Sequence, residues 1–394
     1  FALSAPLLAS ALPLRGRNGA PFKSRAASAT DALVFNFANV LEQLETEFYA
    51  QGIAKFSDAD FAAAGFTSSI IPSQALTGIQ ADEATHQTVL QQALLDNGAT
   101  PLNCSFNFDS VLTDVATMAA TARAVEYLGV AAYLGAATLL DDPVLLDSAA
   151  SILTIESRHQ TLLNILSGTG SAIPQAFDIP FTPSEVLSIA GGFITGDCNT
   201  GVTPTNTLTV TNTGAISQGT LLTFSGNNIT GTDGLFCNMI VGGVTNSINL
   251  PLSQCVVPPG INGPVAIWIT SDDDPLANNV VDRATTQQVA GPALIFVDSS
   301  PEMIGQLVRG SGTGSGATST QTTTISPDEA ASIIAGATAT ASASSSSSTD
   351  SSSSDSSSGS NGAAAPAAPA ATPLPPNYTG PSPDGHVNVN GVSS

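Results

Sequence analysis

Two tetrads, Glu83-Ala84-Thr85-His86 and Glu156-Ser157-Arg158-His159, set the tightest limit on how this chain can fold. A Glu and a His three residues apart share one face of a helix, a turn from each other. The chain holds only three His. Two of them falling three places after a Glu has odds of roughly one in a thousand by accident. Both tetrads lie inside helical apolar stripes. A second helix over about 73–95 aligns Leu76, Ile79, Glu83, His86, Leu90 and Ala93. A fourth, over about 143–166, aligns Leu145, Ala149, Ile152, Glu156, His159, Leu163 and Leu166. A third, over about 110–140, puts Glu126 in the stripe Leu112, Val115, Ala119, Ala122, Val130 and Tyr133. The first, over about 31–53, is apolar through Leu33, Phe37, Val40, Leu41, Leu44 and Phe48 and carries Glu42 and Glu45.

Carboxylates in such seams cost several kcal/mol unless they are compensated. Between Asp31 and Ile194 the only Lys or Arg residues are Lys55, Arg123 and Arg158. Two divalent metals would bring the four positive charges that four Glu require, with neutral His completing the coordination. In the first helix Glu45 lies nearer the strongest apolar stripe. Glu42 is favoured by an internal echo, since it precedes Tyr49 by seven as Glu126 precedes Tyr133. Both stay open as ligands. Tyr49 and Tyr133 read as core aromatics with satisfied hydroxyls, or as redox partners of the metals. Arg123 and Arg158 read as solvent-facing rather than as guides for Glu126 and Glu156. The plainer alternatives are exposed helix polarity and a bundle whose site no longer binds metal.

The order Glu, Glu-x-x-His, Glu, Glu-x-x-His over four helices resembles the ligand pattern of ferritin-like carboxylate proteins. The segment Leu41-Glu42-Gln43-Leu44-Glu45-Thr46-Glu47-Phe48-Tyr49 is similar to fungal stress-response and late sexual development proteins and to plant desiccation-related proteins. That resemblance covers about 31–195 and implies a ferritin-like four-helix bundle. It implies Glu42, Glu83, His86, Glu126, Glu156 and His159 as six metal ligands. Glu83 and Glu156 would bridge the metals, and Glu42 and Glu126 would be terminal. Glu45 would be an alternative or supporting group. Mixed oxygen and imidazole donors favour Fe or Mn over soft copper.

Beyond the bundle and a short fifth helix (about 183–194, capped by Thr182), composition changes. Residues 202–300 are rich in Thr, Val, Ile, Asn and Gly. Runs such as Thr207–Thr211 and Val265–Ile269 read as strands of a β-sandwich-like domain. The expected division is 1–30 as a mobile leader remnant, 31–198 as bundle, 202–300 as β-domain and 311–394 as a disordered Ser/Ala/Pro-rich tail. Asp272-Asp273-Asp274 reads as a solvated acidic turn rather than a calcium site.

Nine Lys plus Arg against 31 Asp plus Glu give a net charge of -22, which disfavours nucleic acid as a partner. No run is long and apolar enough for a membrane span. Cys104, Cys198, Cys237 and Cys255 lack C-x-x-C spacing and fit disulfides, Cys104 with Cys198 and Cys237 with Cys255. With sequons at Asn103, Asn228 and Asn377 they point to a secreted glycoprotein, cell-wall associated in one version. Two functions follow: a di-metal oxidoreductase acting on Fe(II), peroxide or another small oxidant, or a non-enzymatic stress or development scaffold whose β region binds a wall or matrix component.

Overall fold

A computed structural model describes residues 28–310 and, in a separate C-terminal unit, the antiparallel pair Gly380–Pro381 and Asn388–Val389. The expectations for the leader, for Asn377 and for the Ser-rich stretch lie outside the described residues.

Four long helices form the bundle. The first, α1 (Ala29–Lys55), starts two residues before the expected Asp31. Ser28 and Asp31 form a reciprocal capping box there, each side chain bonded to the other's backbone N–H. A short α2 (Asp58–Ala63) occupies what the sequence presents as loop, set by the same Ser-x-x-Asp arrangement at Ser57 and Asp60. The next helix, α3 (Ile70–Asp96), buries Leu76, Ile79, Glu83, His86 and Leu90 as expected, but Leu94 takes the place given to Ala93.

The strand β1 (Ser105–Phe106) precedes α4 (Val115–Ala136). This helix is shorter than its apolar pattern because Asp114 caps it, accepting from the Thr117 N–H at 2.8 Å. Leu112 is buried, but from the preceding turn. Asp142 caps α5 (Pro143–Ser167), with Pro143 at the first helical position and Gly168 ending the helix at φ 71°. Contacts are richest between α1 and α3 and between α4 and α5, so the bundle is built as two helical hairpins. Leu33, placed in the apolar stripe from sequence, is 37% exposed near the bundle end.

The fifth helix, α6 (Pro183–Ala190), stops before the Ile194 expected, and a 3-10 turn and β2 (Ile194–Thr195) follow. Strand β2 pairs with β1 beside the Cys104–Cys198 disulfide.

The sheet region begins with a small ladder of β3 (Thr209–Val210) and β4 (Phe224–Ser225). A four-stranded antiparallel sheet contains β5 (Phe236–Val241), β6 (Ile248–Pro251), β7 (Gly263–Thr270) and β8 (Gln288–Val297), in the order β6-β5-β7-β8. The last helix, α7 (Met303–Val308), returns to α5.

Every residue of β7 is buried, and its alternation divides them between two cores. Val265, Ile267 and Ile269 join Leu208, Leu222, Cys237 and Met239 on the face toward β3 and β4. Ala266 and Trp268 join Phe181 and the helical core on the other. The Trp268 indole donates to Glu185 of α6 at 3.1 Å and meets Phe181 edge to face at 5.8 Å between centroids. Arg283 stacks over the same indole and pairs with Glu185 at 2.7 Å. The sheet is therefore a middle layer joined to the helices. The second disulfide, Cys237–Cys255, lies in the sheet-side core.

Candidate metal centre

Each of the four long helices contributes an acid to the bundle interior. Glu42 comes from α1, Glu83 from α3, Glu126 from α4 and Glu156 from α5, and all four are fully buried at 0% exposure. His86 and His159 lie one turn along α3 and α5, also buried. Their donor atoms converge as two quartets, Glu42–Glu83–His86–Glu156 and Glu83–Glu126–Glu156–His159, each with its donors within 4.8 Å of one another. Glu83 and Glu156 belong to both.

Nδ1 of His86 lies 3.2 Å from Glu42, 3.1 Å from Glu83 and 3.5 Å from Glu156. Nδ1 of His159 lies 2.7 Å from Glu83 and 3.3 Å from Glu126. The arrangement is close but poorly satisfied. Apart from these approaches between imidazole and carboxylate, Glu42 Oε2, Glu83 Oε1, Glu126 Oε2, both Glu156 oxygens and His159 Nδ1 have no hydrogen-bond partner. Orphaned buried polar atoms are rare and costly, and six of the eleven among the described residues belong to this one cluster.

The other oxygens of Glu42 and Glu126 are satisfied. Tyr49 donates to Glu126 Oε1 at 2.5 Å, and Tyr133 donates to Glu42 Oε1. The two tyrosines are thus core aromatics that also hold the acids, each reaching from one hairpin to the other.

Burial pushes the Glu42 carboxyl up to about 8 and those of Glu45 and Glu156 well above the usual range. Burial also raises Glu83, but its bonds to His159 and His86 outweigh this and hold it near 2. Burial would lower both imidazoles. Their carboxylate neighbours prevail, lifting His86 to about 12 and His159 to about 11. The chain alone thus keeps its acids tolerable by holding protons. Two dications match four carboxylates and use the orphaned inward oxygens, so the donor set fits such ions.

Glu45 is buried at 3% exposure but stands outside both quartets, with Glu42 inside. It lines an apolar pocket of about 340 Å³ between α1, α4 and α6 that includes Leu128 and Gly129. Gly129 is tight: a Cβ there would stand 2.5 Å from Glu156 Oε2 and 3.2 Å from Glu45 Oε1.

Three residues were not singled out for these roles from the sequence. Asp82, next to Glu83, places Oδ2 3.1 Å from His159 Nε2. Gly129 gives no sequence signal beyond lying a turn after Glu126. Asp298 reveals the third and corrects the reading of Arg123. That arginine is buried, donates twice to Asp298 at 2.8 Å, and stacks over Phe296 at 4.1 Å. Its partner lies 175 residues away, on the strand-side segment after β8. Arg158 is exposed, as expected. Asp273 and Asp274 are exposed, and Asp272 joins no cation-binding group among the described residues.

Residues 30–169 match the family model described as the ferritin-like domain. A solved structure described as ferritin-like, diiron-carboxylate proteins from Bacillus anthracis str. Ames is similar at 19% identity. The match covers 35% of this chain and 94% of that one, with a TM-score of 0.30. Comparison with curated proteins gives no match. No helix among the described residues is long and apolar enough to cross a membrane.

Proposed function

We propose that the ferritin-like region of this chain is a di-cation carboxylate centre for iron or manganese, in a protein that works outside the cell on a small oxidant or on Fe(II). The observation that carries this reading is the sharing of Glu83 and Glu156 between two buried donor quartets. Glu42 and His86 would complete one position, and Glu126 and His159 the other. Bound Fe or Mn would supply electron exchange with dioxygen or peroxide.

The chain's own residues would do the rest. Tyr49 and Tyr133 fix the orientation of Glu126 and Glu42 by donating to their outer oxygens. The apolar pocket lined by Glu45 and Gly129 would give a small molecule a place beside Glu156. The two disulfides suit an oxidising compartment.

The test is elemental analysis of protein purified without chelator or added metal, followed by assays of Fe(II) oxidation and peroxide consumption. The reading expects close to two Fe or Mn per chain, lost in Glu83→Ala. Metal-free protein that takes up neither ion would sink it.

A second reading keeps the metal but not the turnover. The family match stops at residue 169, while the sheet packs into the same core as the helices. A scaffold that displays the sheet region to a wall or matrix component would have this construction. It expects no turnover in the loaded protein.

A further inference from the structure

The two halves of the centre differ behind the histidines. Both imidazoles turn Nδ1 toward the carboxylates. On the far side, His159 Nε2 meets Asp82 at 3.1 Å, reaching from α5 to α3. His86 Nε2 has no hydrogen-bond partner among the described residues, and its side chain is 11% exposed. The residue on α5 that corresponds to Asp82, one place before the Glu of its tetrad, is Ile155. An isoleucine cannot accept a hydrogen bond. The internal repeat that makes the quartets alike is therefore broken at this pair of positions, as it is at Glu45 and Gly129, three places after Glu42 and Glu126.

A carboxylate on the outer nitrogen does three things to an imidazole ligand. It fixes the tautomer so that the inner nitrogen carries the lone pair, it holds the ring plane, and it raises the basicity of the inner nitrogen. Loss of such a partner costs 10- to 100-fold in metal affinity in typical sites. Asp82 is more than half exposed, at 58%, which places the effect toward the lower end.

We propose that the two cation positions are unequal, with Asp82 making the Glu126–His159 position the tighter and first filled and Ile155 leaving the Glu42–His86 position the weaker and exchangeable one. This rests on the di-cation reading above. The shared acids Glu83 and Glu156 serve both positions, so they cannot create the difference. The tyrosines cannot create it either, because each terminal acid has one. Among the hydrogen bonds that support the donor residues from behind, the one on the outer nitrogen is what distinguishes the halves, and Glu45, whose counterpart is Gly129, stands outside both quartets.

The sequence contains three His, and nitrogen NMR of ¹⁵N-histidine-labelled full-length protein can follow each ring after assignment with His→Gln variants. Metal-free protein is titrated with Cd(II), a diamagnetic probe. With one equivalent, the His159 Nδ1 signal is expected to shift while that of His86 stays, and His86 should follow with the second equivalent. In Asp82→Asn the preference should fall by about tenfold or more, so that both rings shift together. In the exchange variant Asp82→Asn/Ile155→Asp, His86 should shift first. Circular dichroism confirms that each variant is folded. His86 shifting first in the unaltered chain, or an order indifferent to Asp82, would overturn the inequality and leave the centre standing. If neither ring moved at two equivalents, the di-cation reading itself would fall.

Discussion

The phenol of Tyr49, on α1, reaches across the bundle to donate to Glu126 Oε1 on α4 at 2.5 Å. The reverse contact joins Tyr133 of α4 to Glu42 of α1. Each hairpin thus fixes an acid of the other. Tyr49→Phe should leave Glu126 Oε1 without its donor in the metal-free protein. A hydrogen bond to a charged acceptor contributes about 1.5–3 kcal/mol, so urea unfolding of metal-free protein should show a loss of about 2 kcal/mol. The same substitution should weaken metal uptake, measured by calorimetry.

The cluster trades stability for binding, and Glu156 shows it most plainly. Both of its oxygens are orphaned, and burial raises its pKa well above 4.5. A raised folded value means that the native state prefers the protonated acid. Its contribution is fully favourable below the unfolded value and is lost as pH rises through the folded one. Glu156→Gln, a mimic of the protonated form, should therefore match the parent near pH 4 and exceed it in melting temperature at pH 8, when both are metal-free. The gain should be about 1–3 kcal/mol. Bound metal should fall from two to one or fewer per chain. Equal melting at pH 8 would refute the prediction.

Gly129 sets how closely α4 approaches the carboxylate of Glu156. In Gly129→Ala the new methyl group meets the far end of a side chain rather than backbone, so the helix should persist and the carboxylate should move. The expected result is unchanged helical circular dichroism with metal affinity reduced about tenfold or more. Unaltered affinity would mean that Glu156 has slack.

Protons should leave as metal enters. With carboxylate neighbours holding His86 near 12 and His159 near 11, both imidazoles are protonated at neutral pH until a cation displaces the proton. Titration in weakly buffered solution should release at least two protons per two cations, and affinity should rise from pH 6 to pH 8. A pH-independent affinity would contradict this.

Arg123 joins α4 to the segment after β8. Burial raises Asp298, but the hydrogen bonds and charge of Arg123 outweigh it and hold the acid below 3.8. A depressed carboxyl contributes stability above the unfolded value and loses it as pH falls through the folded one. Arg123→Met should destabilise the protein by about 2–4 kcal/mol at pH 7, less than a fully buried pair because Asp298 reaches solvent. The difference should shrink below about pH 3.8, as read by thermal unfolding at several pH values.

The helical half of the fold was legible because its period is local. Glu83, His86, Glu156 and His159 stand in stripes spaced three and four, and that spacing decides which side chains meet before any tertiary contact is known. Helix ends were less legible, since Asp114 and Ser57 act through single caps that look like ordinary loop residues. The choice between Glu42 and Glu45 depends on a rotation of α1 of less than one turn, which no local period fixes; the structure brings Glu42 into a donor quartet and leaves Glu45 outside. Arg123 was misread because its partner is distant in sequence and sits in a segment that carries no motif. The run Val265–Ile269 announced a strand, but its burial on both faces follows only from α6 and Phe181 lying over Trp268.

Trp268 has a consequence for anyone who would cut this protein apart. Its indole fills the floor of the helical core from a strand nearly a hundred residues beyond the family match. A fragment ending at 169 would lack Phe181, Glu185 and that ring together. The third of the chain that the family model matches is thus a cup without its base, and the residues beyond that match are what closes it.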